Sequence, residues 1–476
     1  MERIGRASGQ KSRTTILQRN DPAMKPKPAA AEAARLEAMN VPGLAVRVAA
    51  ASILRDVVGG GHGLDELFGA RAVPSRLAGL DARDRALTRS IVTVALRRLG
   101  TIRQSLGALL EQGLPRSAAQ IEWTLITAAA QILFLDVPDH AAVDLAVRIT
   151  RLDPKGTAYA ALVNGVLRNL TRQRDDVLAR DEALDQDTPA WLAARWRKTY
   201  GETLARAIAQ ANRLEPTLDI TVKSDPEYWA AQLGATLLPT GSLRLSSHVP
   251  IPDLPGYAEG AWFVQDAVAA LPAKLLPVVP GMRIGDLCSA PGGKAAQLAA
   301  RGARVTAIDR SAERLKVLAA NFERLRLEAE IVVADVLTLK GHTFDAVLVD
   351  APCSATGTIR RHPDVAWTKK QSDIASLAAL QTRMLDKAFE LVKPGGTIIY
   401  CSCSIEPEEG ELQIPALLRR NPDVIRQPIS AEEVGGCSEF INENGDLRTL
   451  PSYLAAPDPR LAGVDGFFAA RLMRRD

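Results

Sequence analysis

The strongest constraint in this sequence is an alternation in its C-terminal half. Short β-rich runs at 283–287, 304–308, 330–334, 346–349 and 397–400 are separated by helical stretches at 294–300, 312–325 and 374–391. Parallel neighbours cannot be joined by a tight turn and need a long crossover, usually a helix. The alternation therefore predicts a parallel sheet covered on both faces, a Rossmann-like doubly wound α/β fold over residues 256–476. A late run at 466–473 supplies a final strand.

The chain ahead of this region has a different grammar. Between 41 and 178 apolar residues recur at spacings of three and four, in stretches at 45–58, 84–99, 118–135, 141–151 and 158–172. Gly59-Gly60-Gly61 and Asp153-Pro154 punctuate them. That predicts an all-helical domain over 39–178. Residues 179–255 are mixed: helical stretches at 190–200 and 202–212, an extended piece at 218–222 and a helix near 227–233 predict a small α/β connecting subdomain. Residues 1–38 are polar, basic and rich in Pro, Lys and Ala, the composition of a disordered tail or an RNA-contacting arm.

With 476 residues the chain is too long for one ordinary core. The first forty residues hold eight Lys/Arg against four Asp/Glu, which accounts for the whole net charge of +4. The folded body is thus nearly balanced, so any nucleic-acid contact needs a local basic groove. The five cysteines, Cys288, Cys353, Cys401, Cys403 and Cys437, are odd in number, and no signal-peptide pattern opens the chain. Reduced thiols in a cytoplasmic protein are the expectation. The longest apolar run, 123–135, contains Gln131 and suits a buried helix better than a membrane span, so no membrane association is expected.

Open α/β sheets bind ligands beyond the carboxyl ends of their strands. The first strand leads into Asp286-Leu287-Cys288-Ser289-Ala290-Pro291-Gly292-Gly293-Lys294 and then a helix. Two glycines let a ligand approach the backbone, and the helix start offers free N–H groups. Neither a GxGxxG nor a P-loop frame is present, and a tight turn without a ligand would also explain the segment. The next three strands end at Asp309, Asp335 and Asp350. A single acidic strand end is commonly a helix cap. Three in succession above one glycine loop point to a nucleoside, whose ribose hydroxyls a carboxylate can accept.

After the fourth strand comes Ala351-Pro352-Cys353-Ser354-Ala355-Thr356-Gly357, and after the fifth Cys401-Ser402-Cys403-Ser404. Two loops at one end of the sheet thus each carry a cysteine. A lone cysteine is more often a small buried apolar residue than a nucleophile. Cys401-x-Cys403 has the form of half a zinc site, but no second Cys/His pair has ligand spacing, so no metal is expected. Cys401, inside the strand, is expected to be structural, whereas the loop frees Cys403. Arg360, Arg361, Lys369 and Lys370 lie just beyond the Cys353 loop and suggest either solvated surface or contacts to phosphates.

These motifs together resemble the RsmB (Sun/Fmu) branch of the NOL1/NOP2/Sun family of RNA cytosine-5 methyltransferases. The matching pieces are Glu259-Gly260, Gln265-Asp266, the segment from Asp286 to Lys294, the segment from Asp350 to Gly357, Ser402-Cys403-Ser404 and Asp465-Gly466-Phe467-Phe468. The segment from Arg360 to Trp367 is similar to the bacterial ribosomal-RNA branch. The front domain, through Asp84-Arg85-Ala86-Leu87, Ala142-Val143-Asp144-Leu145-Ala146 and Val163-Asn164-Gly165-Val166-Leu167, resembles the NusB fold, which implies an RNA-binding module. The resemblance departs in two places. Ser402 stands where the family often has Thr, and Ile220-Thr221-Val222-Lys223 replaces a usual Leu-Arg-Val-Asn, which removes the usual Arg.

By this resemblance the cofactor is S-adenosyl-L-methionine. Cys288, Ser289, Ala290, Pro291, Gly292, Gly293 and Lys294 would cradle its amino-acid end, Asp309 would hold the ribose, Asp335 would lie near the adenine, and Asp350 would sit at the reaction centre. The implied partner is RNA, specifically 16S ribosomal RNA, with a monomer as the default state. Carbon 5 of cytosine needs a thiolate added at carbon 6 before it can attack a methyl group. Residue chemistry alone does not order the two cysteines: a Pro-Cys cysteine is the nucleophile in DNA cytosine-5 methyltransferases, which favours Cys353. The Ser-Cys-Ser signature favours Cys403 for attack and Cys353 for proton removal or release. The alternatives are a transfer-RNA or DNA methyltransferase, and an inactive RNA-binding, antitermination-like factor.

Overall fold

The computed structural model describes residues 41–69, 77–110, 113–114, 118–180, 182–246 and 249–476. The tail expected over 1–38 lies outside them.

The helical domain is built around helix Ala119–Phe134, whose side chains are buried almost all round. It packs against helices Leu44–Val58, Ala82–Arg97, Asp139–Leu152 and Ala160–Arg172. A helix apolar on every side has to be central to a core, and Ile53, Ile91, Leu125, Ile126, Val163 and Leu167 are fully buried around it. Its buried glutamine is satisfied in place: Gln131 Nε2 donates to Thr127 O at 2.8 Å, and Oε1 accepts from Arg47 Nε at 2.9 Å. The expected stretch at 84–99 is followed by a helix the sequence reading did not include: the chain breaks at Arg98 and continues as helix Leu99–Leu109.

Helices Ala183–Gln186 and Ala190–Arg213 follow, the second kinked at Gly201. They pack on the C-terminal domain rather than forming a core of their own. Leu192, Trp196 and Ile208 lie against Ile359, Val365, Ile405 and Leu450. A four-stranded antiparallel sheet comes next: β1 (Leu218–Val222), β2 (Thr236–Leu237), β3 (Leu243–Leu245) and β4 (Trp262–Val264), in the order β2-β3-β1-β4. Strand β4 lies beyond the 255/256 boundary expected from sequence. It joins this sheet because Trp262 is fully buried against Ile220 and Leu243.

The large sheet contains β5 (Arg283–Leu287), β6 (Arg304–Asp309), β7 (Glu330–Val333), β8 (Phe344–Asp350), β9 (Val392–Ser402), β10 (Val424–Arg426), β11 (Leu447–Thr449) and β12 (Phe467–Arg474). Its order is β10-β12-β9-β8-β5-β6-β7, with β11 also paired to β12. Strands β5 to β9 are mutually parallel, and the last strand enters antiparallel beside β9. Helices Gly293–Ala300, Ala312–Leu325 and Gln371–Leu391 make crossovers, and separate apolar clusters contain Leu298 and Leu318, and Met384 and Leu385. The strand order reverses between β5 and β8. That switch point opens a crevice at the carboxyl ends of these strands, where the two following loops diverge.

Candidate active site

The loop after β5 leaves the strand at Cys288, which adopts a left-handed φ of 65°. Gly292 has φ 103°, and a Cβ there would come within 2.7 Å of Leu318 Cγ, so only glycine fits. Asp286 is fully buried beneath the loop. Its Oδ2 accepts from Ser289 Oγ at 2.8 Å, and Oδ1 has no partner. Burial, countered in part by Ser289, pushes this carboxyl up to about 7.

Asp309 closes β6 with its carboxylate buried. It accepts from Ser311 N at 2.9 Å and Ala290 N at 3.3 Å, and pairs with Arg314 at 3.4 Å. Asp335 is exposed and caps Leu337 N at 2.9 Å. Asp350 ends β8. Its Oδ2 lies 2.8 Å from Lys294 Nζ, and its Oδ1 accepts from Cys401 Sγ at 3.6 Å. Burial works against charge on Lys294, but Asp350, Cys401 and Asp286 together outweigh it and hold the ammonium above its usual range.

Strands β8 and β9 are parallel neighbours, with Asp350 opposite Cys401. Their loops therefore emerge side by side, and Cys353 Sγ lies 3.4 Å from Cys403 Sγ. The hydrogen bond with Cys403, reinforced by burial, holds the Cys353 thiol well above the ordinary range, in its protonated form. Below the sulfurs the loops are fastened by polar contacts. Ser354 Oγ is 3.1 Å from Ser404 Oγ, Gly357 N donates to Cys403 O at 3.0 Å, and Ser354 N donates to Glu409 Oε1 at 2.8 Å. Gln381 Nε2 reaches the same Glu409 oxygen at 3.2 Å.

Cys288, Asp309, Asp335, Asp350, Cys353 and Cys403 line one pocket together with Ala290 and the apolar Leu380 and Met384. Ser289, Pro291, Gly292, Gly293 and Lys294 line a neighbouring cavity, and Asp350 borders both. The residues expected to cradle a cofactor are thus divided between two faces of one loop. An acidic, partly apolar pocket with a buried carboxylate at the second strand suits a nucleoside. Among the described residues, no group of three or more His, Cys, Asp or Glu side chains could hold a metal ion, and no helix is long and apolar enough to cross a membrane.

Residues 273–473 match the family model described as 16S rRNA methyltransferase RsmB/F, and residues 45–172 match the NusB family. The ribosomal RNA small subunit methyltransferase B of Vibrio cholerae serotype O1 is 36% identical over 397 residues, which covers 79% of this chain and 90% of the relative. The chain belongs to the ribosomal RNA small subunit methyltransferase B family. It is an RNA methyltransferase of the S-adenosylmethionine-dependent class. The relative of the same name from Xylella fastidiosa (strain Temecula1) is also 36% identical, over 91% of this chain and 98% of its own. The crystal structure of PH0851 shares the fold over 91% of this chain and 99% of its own, with TM-score 0.67 and 21% identity.

Two sites in this methyltransferase differ from the sequence expectation. Arg360 and Arg361 are neither solvated nor free for phosphates. Arg361 Nη2 lies 2.5 Å from Asp266 and 3.4 Å from Asp219, and its Nε is 3.1 Å from Asp465. Arg360 is buried 3.5 Å from Asp465. Three carboxylates from different segments converge here, and Arg360 and Arg361 balance them together with Arg244, which holds Asp219 in a bidentate pair. Glu409, the buried acid that ties the two cysteine loops together, has no sequence motif beyond its place in Glu406-Pro407-Glu408-Glu409.

Proposed function

We propose that this protein transfers a methyl group from S-adenosyl-L-methionine to carbon 5 of a cytosine in small-subunit (16S) ribosomal RNA, with Cys403 as the covalent nucleophile. The observation that carries this reading is the 3.4 Å separation of the Cys353 and Cys403 sulfurs at the pocket that Asp309, Asp335 and Asp350 also line. The names of the relatives supply the substrate class.

Bound S-adenosyl-L-methionine supplies an electrophilic methyl group on its sulfonium. Asp309 is suited to accept from ribose hydroxyls, Asp335 to border the adenine, and Cys288 and Ala290 to form the wall between them. Ser289, Pro291, Gly292, Gly293 and Lys294 support that wall from behind. Cys403, as a thiolate, adds to carbon 6 of the pyrimidine, and the ring's electron pair moves to carbon 5. The Asp350 carboxyl group donates a proton to the ring nitrogen as the sulfur adds, so the electron density is met by a proton, and the Lys294 ammonium beside it supplies positive charge. Carbon 5 then takes the methyl group. In the last stage the Cys353 thiol, 3.4 Å away, passes its proton to the Cys403 sulfur as the sulfur–carbon 6 bond breaks, and the Cys353 sulfur takes the carbon 5 proton, so both cysteines end as thiols. The target base has to be unstacked or flipped for carbon 6 to meet the sulfur.

The test is a pair of variants incubated with 16S RNA, transfer RNA or DNA and radiolabelled cofactor. Cys403→Ala should lose methylation and form no adduct; Cys353→Ala should accumulate a denaturation-resistant protein–RNA adduct. The reverse pattern would exchange the two roles, and methylation of transfer RNA or DNA in preference to 16S RNA would replace the substrate.

A further inference from the structure

Seven to fourteen residues beyond Cys353 the chain touches the NusB-like domain, and the contacts are directional. Asp364 Oδ2 accepts from the backbone N–H of Leu64 at 3.0 Å. Trp367 Nε1 donates to the carbonyl of Leu96 at 2.9 Å, and Arg97 Nη2 donates to the carbonyl of Arg360 at 3.0 Å. The indole is packed at the edge of both the helical-domain core and the cluster containing Trp196, Ile359 and Ala366. A catalytic-domain segment is therefore hydrogen-bonded to the helical domain at the end of helix Ala82–Arg97 and at the start of helix Leu64–Phe68.

The same segment is rigid on its other side. Gly357 N donates to Cys403 O at 3.0 Å, and Gly466 N donates to Gly357 O at 2.8 Å. A Cβ on Gly357 would fall 1.9 Å from Gly466 O, so this crossing has no slack. Arg360 and Arg361 are fixed in the carboxylate cluster of Asp219, Asp266 and Asp465. Between Cys353 and Trp367 the chain thus passes through a series of fixed points, with no long free loop to absorb movement.

We infer that Asp364 and Trp367 are positioning residues for Cys353, through which the NusB-like domain sets where the second thiol stands beside Cys403. The inference rests on the proposed division of labour between the two cysteines. A shift at the latch is passed to the Cys353 loop, because hydrogen bonds and close packing rather than flexible chain connect them. The helical domain then does more than hold RNA: its seating on the catalytic domain completes the reaction centre.

The latch is tested with Trp367→Phe, which keeps an aromatic ring and removes the N–H, and with Asp364→Ala. Titration with S-adenosylhomocysteine counts folded sites, so that any unfolded fraction is normalised out. Both variants should lower kcat for RNA methylation roughly ten-fold, with KM for RNA nearly unchanged. The fraction of denaturation-resistant adduct should rise, as in a weakened Cys353. In a Cys353→Ala background, Trp367→Phe should add nothing to the single-turnover rate of methyl transfer or to the adduct yield. A rise in KM alone, an unchanged kcat, or a further loss in the Cys353→Ala background would overturn the latch. If Cys353→Ala by itself forms no adduct, the release role of Cys353 fails separately, and the latch is still judged by whether the kcat effect disappears in that background.

Discussion

Lys294 Nζ lies 2.8 Å from Asp350 Oδ2, and this ion pair joins the glycine loop after β5 to the end of β8 across the switch point of the sheet. The lysine side chain is only 10% exposed, and it also sits 5.3 Å from the centre of the Phe467 ring. Its charge is therefore held in place by a carboxylate and an aromatic face rather than by water. Lys294→Met keeps the length of the side chain and removes the ammonium. It should lower the single-turnover rate of methyl transfer by roughly 10²-fold, measured as radiolabelled methyl incorporation into RNA, with folding preserved by circular dichroism. A rate within twofold of the native protein would remove Lys294 from the reaction centre.

Asp309 offers a direct test of cofactor placement. Its carboxylate is fixed by two backbone N–H groups and Arg314, so it is preorganised for a further donor. Asp309→Ala should weaken binding of S-adenosylhomocysteine roughly ten- to hundred-fold, the loss expected for hydrogen bonds to a charged group. Isothermal titration reads this. Asp335→Ala, at an exposed position, should cost less.

The carboxylate cluster predicts a stability effect far larger than a surface ion pair gives. Arg361→Ala takes from the buried Asp266 the arginine that pairs with it, while Asp219 keeps Arg244 and Asp465 keeps Arg360. Loss of one partner from a buried pair costs about 3–5 kcal/mol. Urea unfolding of the variant should show that loss at neutral pH. Arg361→Lys should recover only part of it, because an ammonium cannot reproduce the planar fork.

The raised carboxyl of Asp286 makes stability depend on pH. The folded group titrates at about 7 and the free carboxyl near 3.8. The fold favours the protonated form, so the group's contribution is fully present below about pH 4 and is lost as pH rises through 7. Asp286→Asn removes this titration while its amide oxygen can still accept from Ser289 Oγ. In the cofactor-free protein the variant should gain stability over the native chain between pH 4 and pH 8, by up to about 4 kcal/mol at the alkaline end. Urea midpoints at the two pH values measure it. An equal difference at both would show that Asp286 does not titrate in this window.

Much of this site was legible because its signals are local. Asp309 and Asp350 stand at strand ends where alternation places them, and Cys288 and Gly292 occupy a turn whose backbone demands an unusual φ. The helical domain was readable from its spacing, except for helix Leu99–Leu109, which follows a break at Arg98 and lay outside the expected stretches. Other features had no local mark. Arg360 and Arg361 look like surface charge until Asp219, Asp266 and Asp465 arrive from three distant segments. Glu409 is one acid in an acidic run until the fold buries it between Ser354 and Gln381. Strand β4 was not foreseen, because its pairing with β1 depends on Trp262 finding Ile220 and Leu243.

The sequence by itself determined the element types, the doubly wound architecture and the chemical character of the loops at one end of the sheet. Each of these follows from periodicity and turn chemistry within a few residues of chain. Only the tertiary structure decided which groups meet. The order in which strands pair put β8 beside β9, and so brought two sulfurs fifty residues apart in sequence to within 3.4 Å. Strand order and charge compensation are properties of the whole packed chain, since a buried charge or thiol is defined by neighbours that arrive from elsewhere.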